Sequence, residues 1–175
     1  MARRLSAILG PVRLISADRA SVELRIARYQ FPDIQGQGDR DWDANWLQVA
    51  GTVVLADRKT WSFEDPCLTT WEAAELGRWL NAVADGTVQP SPFGTGQDEQ
   101  MLVFTEPNVA FSLQERFANR VRVRVHFSLE ALPPWQRGTE QPDIFDFLVV
   151  LDMSAAELAK AAGDWNASLG RYPRR

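Results

Sequence analysis

One histidine, His126, and one cysteine, Cys67, are all that the 175 residues offer of the two side chains most used in catalysis and metal binding. A lone thiol excludes an internal disulfide, and it excludes a zinc site within one chain unless carboxylates supply nearly every ligand. No Ser-His-Asp or Cys-His arrangement can be built without His126, and nothing marks a nucleophile beside it. Long apolar runs are missing as well: nowhere are there about 18 successive apolar residues, the length a membrane-crossing helix needs. The start, Met1 to Val12, imitates the charged region of a signal peptide, but its apolar stretch is interrupted and ends at the Gly10-Pro11 breaker. The chain therefore reads as cytoplasmic, with no cofactor, no metal and no membrane partner.

Charge is present but segregated. Between Tyr29 and Asn119 lie fourteen acidic side chains against five basic ones, while the whole chain nets only −4 because the flanks are rich in arginine. Direct nucleic-acid binding is disfavoured, since displacing counterions from phosphates takes clustered Lys and Arg. An acidic face meeting a basic partner fits better. At this length one core is the default, so residues 1–175 read as one domain: 1–21 an N-terminal extension with a first strand, 22–172 the main body.

Period-2 patterns dominate. Val121, Val123, Val125, Phe127 and Leu129 alternate with Arg122, Arg124, His126, Ser128 and Glu130, which in a strand sends one set to the core and the other, His126 included, to water. Val109, Phe111 and Leu113 alternate likewise, and 117–120 can turn the chain between the two as a hairpin. Further strands are predicted over 12–15, 22–31, 46–55, 60–63, 101–105 and 145–151, about eight in all. Two helices interrupt them. Thr69 with Glu72, and Ser154 with Glu157, have the spacing in which a hydroxyl caps an early amide and a glutamate reaches back. Leu76, Trp79, Leu80 and Val83 follow the first, and Leu158, Ala161, Ala162, Trp165 and Leu169 the second, at helical spacing. The predicted fold is α+β: a mainly antiparallel sheet or sandwich carrying two amphipathic helices. Residues 32–40, 86–100 and 132–142 read as long loops.

The acidic run Asp39, Asp41, Asp43 resembles a calcium loop only loosely: the sixth position is Ala44, where the sharp turn needs glycine, and the twelfth is Ala50, where a bidentate glutamate belongs. It reads as a solvated turn leading into a strand. Asp65-Pro66-Cys67 reads as a strand end before the first helix, with Cys67 a buried small hydrophobe. Glu64 and Glu106 are the kind of pair a glycosidase uses, but any chain with 23 acids contains such pairs. Of the seven tryptophans, Trp61, Trp79 and Trp165 sit on apolar faces, whereas Trp42, within the acidic turn, and Trp135, after two prolines, suit an interface.

Tyr29-Gln-Phe-Pro32, Trp42-Asp-Ala-Asn-Trp46, Trp61 through Trp71-Glu72, Phe104-Thr-Glu-Pro-Asn108, Phe127-Ser-Leu-Glu130 and Pro133-Pro-Trp135 follow one another in that order. In that order and spacing the sequence resembles the WapI-type family of bacterial immunity proteins over about residues 22–172. The resemblance implies a small cytoplasmic protein that neutralises a toxin domain delivered in contact-dependent competition; the namesake's toxin cleaves tRNA. It brings no catalytic residues. The expected function is thus binding of a cognate toxin by occlusion, not enzymatic turnover, with Asp39, Asp41, Trp42, Asp43, Glu64, Asp65, Glu106 and Trp135 as contact residues. Two alternatives remain: a small-molecule-binding or hydrolytic module with an aromatic-lined cleft, and a homo-oligomeric structural protein.

Overall fold

The computed structural model describes residues 10–36, 41–91, 100–140 and 143–175. Seven strands form two antiparallel sheets. In the first, β1 (Val12–Ile15), β2 (Ser21–Tyr29), β3 (Trp46–Val54) and β4 (Thr60–Thr69) lie side by side in chain order, and in the second β5 (Val109–Phe117), β6 (Arg120–Phe127) and β7 (Leu148–Ser154) do the same. The helices are a single turn α1 (Trp42–Asn45), α2 (Thr70–Ala84) and α3 (Ala155–Leu169), with one 3-10 turn over Leu129–Ala131. The α+β class and the two substantial helices agree with the sequence.

The sheets meet edge to edge where the Ala17 amide donates to Asp152 O (2.9 Å) and the Asp152 amide donates to Ser16 Oγ (3.0 Å). They also meet across their inner faces: Trp61 and Phe63 of β4 set their rings edge-on to Phe127 of β6 at 5.3 and 6.0 Å. One continuous apolar cluster runs through both sheets and the helix pair. Both helices start with the reciprocal cap that the sequence predicts. Thr69 Oγ1 accepts the Glu72 amide while Glu72 accepts the Thr69 amide, and Ser154 with Glu157 repeats the device. The Trp165 indole N–H donates to Ala73 O at 2.7 Å, tying α3 to α2.

Four local expectations are corrected. The predicted strand at 101–105 contributes only one bridge, Leu102 to Phe111, because the Thr105 amide donates to the Glu72 carboxylate and so leaves the ladder. β4 does not stop at Phe63 or at Asp65-Pro66 but continues to Thr69. A sheet-edge position tolerates the missing proline N–H, and a bulge opposite Leu47 and Gln48 absorbs Cys67. The last strand begins at Leu148 and reaches Ser154, later than predicted. His126 is buried, not a surface residue, because β6 is the central strand of its sheet and the 143–147 segment covers its second face.

Gly51 shows how tightly the first sheet packs. A Cβ there would lie 2.3 Å from ring atoms of Phe63, the residue directly across on β4. Gly51→Ala should force that ring off Phe127 and lower stability by about 1–3 kcal/mol, read as a lower urea midpoint with unchanged slope. An unchanged midpoint would mean the ring has room to move.

Candidate partner-binding surface

The expected contact residues fall into two groups, both hung on β4. The first is at its far end, where Trp46 pairs with Thr69. A one-turn helix is unstable alone, and α1 is held from both sides. Asp41 caps it by accepting the Ala44 amide at 3.2 Å. The buried Asn45 side chain donates to Asp41 O and Arg175 O, both at 2.8 Å, and accepts from the Thr70 hydroxyl (2.8 Å) and the Arg175 amide (3.1 Å). All four bonding positions of that amide are filled. The turn so fixed displays Asp43 and leaves Trp42 46% exposed, its ring edge-on to Trp71 at 4.9 Å. The Arg174 guanidinium lies 5.5 Å above the same Trp71. Asp39 lies outside the described residues.

The second group surrounds the 129–131 turn. Glu64 and Asp65 of β4, Phe63 beneath them, Leu129 and Glu130 of the turn, and Arg137 line a cleft of about 430 Å³. Burial, then the negative charge of Glu130 and that of Glu64, hold the Asp65 carboxyl above its ordinary range, with Arg137 opposing. Asp65, Glu130 and Glu106 together act on the buried Cys67, but burial itself is the largest reason its thiol is pushed far up. Cys67 is therefore an inert core residue, not a nucleophile. Trp135, 42% exposed, stands edge-on to Trp61 at 5.6 Å, with Lys59 Nζ 6.0 Å from its ring centre. From Glu64 to Thr69 the strand covers roughly 17 Å at about 3.3 Å per residue, which separates the two groups along β4.

The acidic middle of the sequence does not form one continuous face. Glu72 is buried in the α2 cap, Glu115 bonds Arg122 at 2.8 Å, and Glu64 itself bonds Arg28 at 2.6 Å. What stays close together is Asp65, Glu106 and Glu130, with Glu64 beside them still paired to Arg28. Of these, Glu130 escapes a reading of the sequence alone, as do Leu129 and Arg137: the strand pattern absorbs the first two, and the third sits in a loop without a motif.

His126 and Ser112 imitate a base and its nucleophile. Phe145 O can only accept, so Nδ1 carries the proton at 2.8 Å, and Nε2 accepts from the Ser112 hydroxyl at 3.0 Å. Arg124 in turn donates to Ser112 Oγ at 3.4 Å. Both His126 and Ser112 are fully buried, so the pair is a satisfied core network with no room for a reacting group. Burial, helped by the Arg124 charge, holds the imidazole below its ordinary pKa, against the Phe145 bond and Asp143. The unfolded chain thus binds a proton that the fold refuses, and stability should fall as pH drops through about 6.5, by up to about 1.4 kcal/mol per unit until the folded pKa is reached. Urea midpoints at pH 7.5 and 5.5 should show this, and His126→Gln should flatten the difference.

Among the described residues no three His, Cys, Asp or Glu side chains converge as a metal site, and no helix is long and apolar enough to cross a membrane. A further cleft, about 590 Å³, lies between β1 and α3 and is lined by Arg13, Ile15, Met153, Glu157, Lys160 and Asp164 among others. No tryptophan is among the described residues lining these two clefts.

A search of curated proteins gives no match. A sequence profile described as the immunity protein WapI-like family matches residues 13–173, starting inside β1 and ending beyond α3. Because that span covers nearly the whole chain, the chain belongs to the WapI-like immunity protein family.

Proposed function

We propose that this protein binds a cognate toxin domain in the cytoplasm and neutralises it by covering the toxin's basic substrate-binding face. Membership of an immunity family supports toxin neutralisation in general. The observation that carries the finer reading is the patch itself: Glu64, Asp65, Glu106 and Glu130 gather around one turn whose rim exposes Leu129 and Trp135. A toxin that acts on a polyanion such as RNA needs clustered Lys and Arg, and carboxylates held together in this way are their complement. Complementary fields raise the association rate and select the partner; desolvated apolar and aromatic anchors then set how long the complex lasts. Asp41, Trp42 and Asp43, on α1 and its cap, are a second contact region in the same proposal, and Asp39 remains a proposed contact on charge alone. Binding, not turnover, is the proposed activity.

The direct trial is to express the toxin gene adjacent to this one with and without the protein. Growth should be restored only when both are present. Unchanged killing by every adjacent toxin candidate would count against the proposal.

A further inference from the structure

Among the described residues four non-glycine positions have positive φ: Arg19, Arg58, Ala118 and Leu129. The first three occupy the tips of the β1–β2, β3–β4 and β5–β6 hairpins, where tight turns demand that conformation. Leu129 does not. Its φ of 49° opens the turn between β6 and the 132–140 segment, and the conformation is unfavourable for an L-residue with a bulky side chain. Nor does the side chain gain burial in return, since it is 49% exposed.

The surrounding bonds over-determine this geometry. The Ser128 amide donates to Asn108 O at 3.0 Å and its hydroxyl donates to Pro107 O. Leu129 O accepts the Leu132 amide at 3.2 Å. Arg137 donates to Glu130 O (3.0 Å) and Leu132 O (3.1 Å), and the Trp61 indole N–H donates to Ala131 O (2.9 Å). Asn108 holds the Glu130 carboxylate at 3.1 Å. Every carbonyl from 129 to 132 is therefore tied down. These bonds hold the strained backbone, but none of them calls for an outward leucine, and strained residues held in this way cluster at functional sites.

We infer that Leu129 is the preorganised apolar anchor of the partner surface, presented rigidly on the cleft it shares with Asp65 and Glu130 to a shallow apolar depression edged by Lys or Arg on a protein partner. The inference rests on the toxin-binding reading above and names the residue that gives the complex its lifetime. An anchor already fixed in its bound geometry loses little freedom on binding, and charges around it admit a basic rim while rejecting an acidic one.

The test measures thermal midpoint and dissociation rate together, using the full chain and the toxin domain encoded beside its gene. Leu129→Gly and Leu129→Asn both suit the left-handed backbone, so each should melt no lower than the parent, yet each should dissociate about tenfold to a hundredfold faster. Leu129→Met keeps apolar bulk and should stay within about threefold of the parent. Parental dissociation rates in Leu129→Gly and Leu129→Asn would overturn the inference. Glu64→Lys with Glu106→Lys, measured alongside, separates the two ideas: slower association there with unchanged Leu129 variants leaves the surface standing and removes the anchor. No effect from either set, or no binding by the parent, removes both.

Discussion

Trp165→Ala should cost about 3–5 kcal/mol, a large share of the 5–15 kcal/mol by which a domain of this size is typically stable. Trp165 is 1% exposed on α3, and its ring lies against α2 at Gly77, where a Cβ would come within 3.2 Å of Cδ1. Truncation removes the largest fully buried side chain, deletes the hydrogen bond to Ala73 O, and opens a cavity that neither helix can close while their other contacts persist. A melting midpoint lower by roughly 6–20 °C is expected in circular dichroism. Trp165→Phe should recover much of the loss, because it restores most of the apolar area and forfeits only the N–H bond. A loss below about 1 kcal/mol for the alanine variant would mean that the helix pair is held mainly by something else, such as its docking on β1 and β4.

Features that depend on near neighbours along the chain are legible in the sequence itself. Both capping boxes are of this kind, since Thr69–Glu72 and Ser154–Glu157 close within one turn. The β5–β6 hairpin is another, because alternation on either side of 117–120 marks its two strands, although the bulge between Leu113 and Glu115 that shifts their register leaves no such mark. Features set by distant chain are not. His126 and Arg124 follow a half-exposed pattern, and only the arrival of Ser91 and the 143–147 segment buries them. Likewise Thr105 leaves its predicted strand for a carboxylate 33 residues away, on α2.

The candidate surface divides along the same line. Residue type and charge single out Glu64, Asp65, Glu106, Trp42 and Trp135, and the last two do stand exposed. Nothing in sequence tells that Asp41 spends its carboxylate on capping α1, or that Glu130 turns back toward Asp65. The left-handed backbone of Leu129 is equally silent, since leucine is the ordinary residue of a strand core and carries no turn signal.

Reversing the charge at Glu64, Glu106 and Glu130 together should slow association with the toxin domain about a hundredfold at low salt, within the range that electrostatic steering spans. Most of that difference should disappear near 1 M salt, where the screening length falls to about 3 Å. Glu64→Lys places a cation opposite Arg28, and Glu130→Lys releases Asn108, so the folded fraction of the triple variant is checked by its melting curve. Asp65 is left intact because it is partly buried and a lysine there would disturb the fold as well as the field. Stopped-flow mixing separates the outcomes. Equal association rates for parent and variant at low salt would mean that these carboxylates do not steer the encounter.

The most direct measurement of the occlusion claim is amide hydrogen exchange of this protein alone and in complex with the toxin domain encoded beside it. The account predicts slowed exchange over residues 62–67 and 128–137, with a second protected stretch around 41–46. Protection confined to the cleft between β1 and α3, with the β4 edge and the 129–131 turn exchanging as in the free protein, would contradict it.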